Sequence, residues 1–212
     1  TWIAVASGYG QGGLDYVHPD IHFFGWQPNT NHLYVCSDGG MFKSSNSGTS
    51  WTPLYNGMNI TQYYKISNSE VDPTLFLAGA QDNGTHRQVA SNWARVYGGD
   101  GMDNAINPSN NQIMYASSQR GNFGRSLNGG VSFSYMSSLP AQGSGNWVTP
   151  MMIDPVNPST VYIGYSQLWK STNNGGTWTS LASLGGGDNI DVFTVAPSNT
   201  QVIYVGINDA IF

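Results

Sequence analysis

Short apolar runs alternate along this chain with polar turns, and the runs return at a nearly constant interval. HLYVCS, TLFLAG, QIMYAS, TVYIGY and QVIYVG place Tyr34, Phe76, Tyr115, Tyr162 and Tyr204 at spacings of 42, 39, 47 and 42 residues. Each run follows a Pro- or Asn-rich turn, at Pro28, Pro73, Pro108, Pro155 with Pro158, and Pro197. Ahead of the turns lie further runs such as HFFGW, YYKIS, VTPMMI and DVFTV. Runs this short, bounded by turn formers and rich in β-branched and aromatic residues, predict strands. The constant interval predicts a repeated unit.

The most specific pattern lies later in each repeat. Ser44-x-Asn46-x-Gly48-x-Ser50-Trp51 recurs as Ser126-x-Asn128-x-Gly130-x-Ser132-Phe133 and as Ser171-x-Asn173-x-Gly175-x-Thr177-Trp178. An Asn side chain bonding the backbone two residues on and a Gly at positive φ are expected to build a tight turn. The aromatic that follows folds over it. A fourth copy has decayed to VASNW, but Trp93 keeps the aromatic position 42 residues after Trp51. Trp2 has the look of the tail of another copy.

This pattern resembles the Asp-box, or bacterial neuraminidase repeat, β-propeller families, whose Ser-x-Asp-x-Gly-x-x-Trp hairpin joins strands 3 and 4 of a blade. Here every copy has Asn in place of the Asp. The resemblance covers nearly the whole chain and implies an all-β propeller of four-stranded blades. Four strands in about 42 residues suits one blade. The blades are expected at roughly 20–56, 60–98, 101–138 and 147–183, with an incomplete one at 189–212. Residues 1–17 would hold an outer strand of a preceding blade and the connection out of it. Such families close their rings with more blades, so about four and a half would be an arc of a longer ring. The remainder of that ring, or another chain, would cover its open edges. The same boxes occur in sialidases, xyloglucan-hydrolysing glycosidases, sortilin-type receptors and photosystem assembly factors, so the resemblance does not select a function. HPDIH, SDGG, QDNGT and YGGDG in this order also resemble a group of large secreted bacterial repeat proteins, sortilin-like or xyloglucanase-like. That resemblance implies a secreted or cell-surface location in a bacterium.

Composition narrows the field. Seven Lys plus Arg against twelve Asp plus Glu give a net charge of −5, and only 9% of the 212 residues are charged. Scattered basic residues do not suit a nucleic-acid or anionic-membrane partner. Cys36 is the one cysteine, so no intrachain disulfide or thiolate cluster can form. No apolar run is long enough for membrane insertion as a helix. Thr1 in place of a start residue reads as a processed or excised segment.

In a propeller the 2-to-3 turns and the 4-to-1 connections share one mouth, opposite the box hairpins. The 2-to-3 turns are SDGG at 37–40, QDNG at 81–84, QRGN at 119–122, YSQ at 165–167 and IND at 207–209. Asp15, His18, Asp20, His22, Asp38, Asp82, Asp100 and Asp188 are therefore expected to gather there. Together with Gln81, Asn83, Arg120, Trp26 and Tyr97 they make a candidate face for a glycan or protein ligand. His18, Asp20 and His22 offer two imidazoles around a carboxylate at alternate positions, a ligand set suited to zinc, although Pro19 interrupts regular pairing. A structural network at the mouth is the competing reading. Asp38, Asp82, Asn83 and Asp100 offer the oxygens calcium prefers. No cofactor is required by any of these motifs.

As an enzyme the chain would be a glycoside hydrolase working through two carboxyls, with Asp20, Asp38, Asp82 and Asp100 as candidates. The competing role for Asp38, Asp82 and Asp100 is turn formation beside Gly. Trp26, Tyr97, Trp147 and Tyr165 would stack on sugars or pack between blades. A sialidase would need an arginine cluster from Arg87, Arg95, Arg120 and Arg125, of which only Arg87 and Arg120 lie near suitable turns. Phosphate-loop, dinucleotide and Gly-x-Ser-x-Gly signatures are absent. Formal glycosylation sequons stand at Asn59 and Asn83.

Overall fold

The structure, a computed structural model, describes residues 1–58 and 61–212. The sequon at Asn59 thus begins outside the described residues. The chain divides into a unit of Thr1–Thr61 and a unit of Gln62–Phe212.

The first unit holds one antiparallel sheet in the order β1 (Ile21–Trp26), β2 (Leu33–Ser37), β3 (Gly40–Ser44), β4 (Thr52–Pro53). In place of the outer strand expected near the N-terminus, residues 1–20 carry only a parallel bridge between Ser7 and Tyr16. Gly10, Gly12 and Gly13 all lie at positive φ, which breaks extended backbone in this segment. It is held to the sheet instead by Trp51 Nε1 donating to Val5 O at 3.2 Å and by Asp15 Oδ2 accepting from Trp51 N at 2.7 Å. Val17, Val35, Phe42 and Trp51 form the buried core of this unit.

The second unit holds four antiparallel sheets. They are β5 (Lys65–Asn68), β6 (Leu75–Ala80), β7 (Gly84–Val89), β8 (Asn92–Tyr97); β9 (Asn104–Ile106), β10 (Met114–Ser118), β11 (Asn122–Ser126), β12 (Ser134–Tyr135); β13 (Met151–Ile153), β14 (Val161–Gly164), β15 (Gln167–Ser171), β16 (Thr179–Ser183); and β17 (Val192–Val195), β18 (Ile203–Ile207), β19 (Ala210–Ile211). Strands pair only with their sequence neighbours. The cores lie between consecutive sheets: Leu75 and Leu77 meet Ile106 and Met114. Tyr115 and Phe123 meet Val161, Ile163 and Tyr165, and Tyr162 and Leu168 meet Phe193 and Val205. Burial of such faces is the main stabilising term of a stacked-sheet fold.

The three intact boxes share one hydrogen-bond pattern. Ser44 Oγ accepts from Gly48 N at 2.8 Å and donates to Asn46 Oδ1 at 2.9 Å. Asn46 Oδ1 accepts from Ser50 N at 2.8 Å, while Asn46 Nδ2 donates to Ser50 Oγ at 2.9 Å. Ser126–Asn128–Gly130–Ser132 and Ser171–Asn173–Gly175–Thr177 repeat these contacts. The Asn therefore reaches four residues ahead and not two as expected, because the Ser Oγ two residues before it takes the nearer amides. Its amide hydrogens explain why a hydroxyl residue, Ser or Thr, closes each copy.

Candidate functional site

In the first unit the HPDIH stretch does not form a regular strand face. Asp20 lies at φ 57°, β1 begins only at Ile21, and its register with β2 shifts between Ile21 and Phe23. His18 is buried, with Nδ1 bonded to Pro19 O at 2.9 Å and its ring seated on Gly39, where a Cβ would come within 2.2 Å of it. His22 Nε2 pairs with Asp38. Pro19 and the left-handed Asp20 thus turn the two imidazoles to different tasks, and alternation at 18, 20 and 22 does not become a shared face. Asp20 and Asp38 do approach, with carboxylate oxygens within 4.8 Å.

Two residues assigned to the mouth lie at the other end of this sheet. Trp26 pairs with Leu33, at the end of β1 away from the 37–40 turn, and is exposed there. Asp15 caps Trp51 N at the box hairpin. Strand direction decides both: β1 runs from the mouth end to the box end, and Trp26 is its last residue.

In the second unit the turns and connections at the mouth end bind one another. Asp100 Oδ1 accepts from Asp82 N at 2.8 Å, with Asp82 at φ 63°. Gln119 Oε1 accepts from Asp100 N at 3.0 Å. Arg120 N donates to Trp147 O at 3.1 Å, and Gly145 N to Arg120 O at 3.1 Å. Asp191 Oδ2 accepts from Asn208 N at 2.8 Å, and Asp188 Oδ2 accepts from Asn208 Nδ2 at 3.0 Å. Asn83 Nδ2 donates to Gln81 O at 3.1 Å. Asp100 and Asn83, two of the four residues with calcium-type oxygens, are thus turned onto the 81–84 turn.

The aromatics divide. Tyr165 is fully buried and donates to Gly121 O at 2.5 Å. Tyr97 is half-buried with its hydroxyl on Asn122 O at 3.3 Å; burial, with a contribution from the Tyr135 phenol, pushes its pKa up to about 12. Both pack between sheets. Trp147 stays 44% exposed and donates through Nε1 to Tyr64 Oη at 3.3 Å. Tyr64, 47% exposed, donates to Gln81 Oε1 at 2.5 Å.

The arginines do not gather. Arg87 lies against the Gly130 turn of a box hairpin, away from the 2-to-3 turn expected for it, because β7 carries it beyond the mouth. Arg125 Nη1 donates to Asn174 O at 2.6 Å in another box. Arg120 is exposed at the mouth. In the Asn83 sequon, Thr85 is fully buried.

Sequence reasoning missed three residues here. Tyr64 falls within YYKIS, a run whose pattern signals only a strand. Asp191, Oδ1 of which accepts from Asn146 Nδ2 at 2.7 Å, was not singled out. Asp103, two residues beyond GGDG, is buried, with Oδ1 accepting from Asn104 N at 2.8 Å and Oδ2 from Met151 N at 3.1 Å; Lys65 Nζ lies 3.4 Å away. Burial raises its pKa, against the opposing pull of Lys65 and the two amides. Its one sequence signal was a second Asp beside Asn in YGGDGMDN.

No family model and no curated protein matches the chain. Solved structures do. An ancestral GH74 enzyme is 23% identical over 88% of this chain, with a TM-score of 0.58. The GH74 xyloglucanase from Xanthomonas campestris is 16% identical over 87%, with a TM-score of 0.51. The extracellular domain of the one-component system BT4673 from B. thetaiotaomicron is 14% identical over 96%, with a TM-score of 0.57. All are propeller proteins. The fold is a β-propeller. This β-propeller is present as four four-stranded blades and a three-stranded one among the described residues. The chain spans 27% of the ancestral enzyme, 34% of the xyloglucanase and 27% of the extracellular domain. At these identities the likeness carries the architecture and not the chemistry. Among the described residues no helix is long and apolar enough to cross a membrane.

Proposed function

We propose that the chain is part of a secreted or cell-surface bacterial β-propeller that binds a glycan through the mouth end of its Gln62–Phe212 unit. One observation carries this reading: Asp100, Asp188 and Asp191 at that end are engaged in holding loops, while amides and aromatic rings stand exposed there beside Arg120. Asp100 and Asp191 each accept a turn N–H. Trp147, Tyr64 and Gln81 stand exposed beside them. Fixed loops with neutral hydrogen-bonding groups and aromatic faces suit recognition of an uncharged polyhydroxylated ligand. The GH74 enzymes and the extracellular sensor domain among the structural neighbours are consistent with a glycan-directed propeller.

Binding of the chain to a panel of soluble polysaccharides, by retardation in gels that contain them, tests the proposal. Retardation by at least one neutral polysaccharide is expected. No retardation by any of them would overturn it.

A second reading, glycoside hydrolysis, is favoured by the Asp20 and Asp38 carboxylates of the first unit, whose oxygens lie within 4.8 Å. That is close to the roughly 5–5.5 Å carboxyl separation of retaining enzymes. Reducing-sugar release lost in both D20N and D38N would support it, and release unchanged in both would remove it.

A further inference from the structure

Building on the glycan-binding reading, we infer that Tyr64 and Trp147 form a stacking platform for a neutral pyranose chain with equatorial hydroxyls, with Gln81 as its hydroxyl-binding group. The polar atoms dictate one arrangement. An indole nitrogen can only donate, so Tyr64 Oη must accept from Trp147 Nε1 at 3.3 Å. The phenol hydrogen is then committed to Gln81 Oε1, at 2.5 Å. With its carbonyl oxygen taken, Gln81 keeps its two amide hydrogens for a ligand. Each donor in such a chain strengthens the next.

The consequence for the rings is specific. Their polar edges satisfy one another through Trp147 Nε1 and Tyr64 Oη, and both residues keep surface toward solvent, with Tyr64 47% and Trp147 44% exposed. A π face is only a weak acceptor for a hydroxyl but packs well on a flat array of C–H groups. A pyranose with equatorial hydroxyls presents such an array on its ring faces and directs its hydroxyls to the sides, toward groups such as the Gln81 amide. Two rings do not make the roughly 800 Å² per partner of a standard protein interface. Gln81 and Asn83 beside the rings are amides, which fits a neutral sugar, and the exposed charge next to Trp147 is Arg120, whose N–H donates to Trp147 O.

The platform is also held before any ligand arrives. Tyr64 N donates to Gly79 O at 2.8 Å, and Trp147 O accepts from Arg120 N. The adjacent Asn146 is tied to Asp191 at 2.7 Å and through its carbonyl to Thr149 Oγ1 at 2.9 Å. Little ordering remains to be done on binding, which favours affinity from a small contact.

Titration of the chain with cellohexaose, followed by indole fluorescence and calorimetry, tests this directly, beside the polysaccharide panel above. W147A and Y64A are expected to weaken binding about tenfold or more, and W147F less. Y64F keeps the ring but breaks the relay, and with Q81A it should lose about threefold to tenfold. Unfolding midpoints near wild type establish that these exposed-site variants are folded. If a neutral polysaccharide still binds W147A and Y64A at wild-type affinity, the platform is overturned while glycan binding stands. If no polysaccharide binds the parent chain, the glycan reading itself falls. Binding restricted to acidic sugars and lost in R120A would overturn the neutral assignment alone.

Discussion

Asp100 Oδ1 accepts the backbone N–H of Asp82 at 2.8 Å, so one candidate catalytic carboxylate serves the turn that carries another. Asp82 sits at φ 63°, a left-handed conformation that Asp tolerates better than most residues but that gains from an external partner. The contact makes the YGGDG connection a clamp on the QDNG turn.

D100A should therefore lower stability by about 1–2 kcal/mol, since it leaves the Asp82 N–H without its acceptor. D100N keeps an acceptor oxygen in place and should stay within about 0.5 kcal/mol of the parent. Urea unfolding of the three proteins measures both. A D100A protein as stable as the parent would contradict the clamp.

The glycines of the same connection separate by position. A Cβ on Gly101 would lie 2.2 Å from Gly84 O and 2.7 Å from Ala80 N, both backbone atoms. At Gly98 the nearest atom is Arg95 Nη2 at 3.6 Å, an ordinary contact. G101A should cost about 3 kcal/mol or more, because the 98–103 connection cannot then close on the turn. G98A should stay within about 0.5 kcal/mol. Equal effects in thermal unfolding would refute close approach as the reason for Gly101.

The boxes allow a test of Asn against Asp. Ser171 is buried, and its Oγ is the acceptor for Gly175 N at 2.8 Å. S171A should cost about 1–3 kcal/mol by stranding that amide. In N173D the new oxygen would accept from Thr177 Oγ1, which now accepts from Asn173 Nδ2 at 3.0 Å. Only a hydroxyl rotation is needed, so N173D should be within about 0.5 kcal/mol of the parent at neutral pH. A large loss in N173D would mean that the amide hydrogens are indispensable to the turn.

These cases show why the fold could be read from the sequence and the site only in part. Turn chemistry is local: Ser44, Asn46 and Gly48 signal their hairpin within five residues, and the apolar runs between turns signal strands. The site depends on contacts across long separations, such as Trp147 with Tyr64, 83 residues apart, which no local pattern encodes. Trp26 lies at the box end and not at the expected mouth, because an aromatic in a strand does not announce which end it occupies until strand direction is traced. His18, Asp20 and His22 misled for a different reason. Alternation implies a common face only in regular strand, and Asp20 at φ 57° ends that regularity before β1 begins.

Asp103 provides a test in pH. Its carboxylate joins three blades, with Lys65 of β5, its own neighbour Asn104 of β9, and Met151 of β13 around it. Burial raises its pKa above the ordinary 3.8, so between 3.8 and the raised value the folded chain holds a proton that the unfolded chain has released. Stability from this group is therefore fully present below 3.8, falls as pH rises through that window, and is level above it. D103N cannot titrate, but its amide serves only one of the two N–H donors and should cost about 1–3 kcal/mol through the other. The difference in unfolding free energy, parent minus D103N, should thus decline as pH is raised from about 3.5, then flatten. Urea unfolding at closely spaced pH values measures it. A difference that rises with pH over the same window would mean that Lys65 and the two amides outweigh burial, and that Asp103 folds as a stabilised anion.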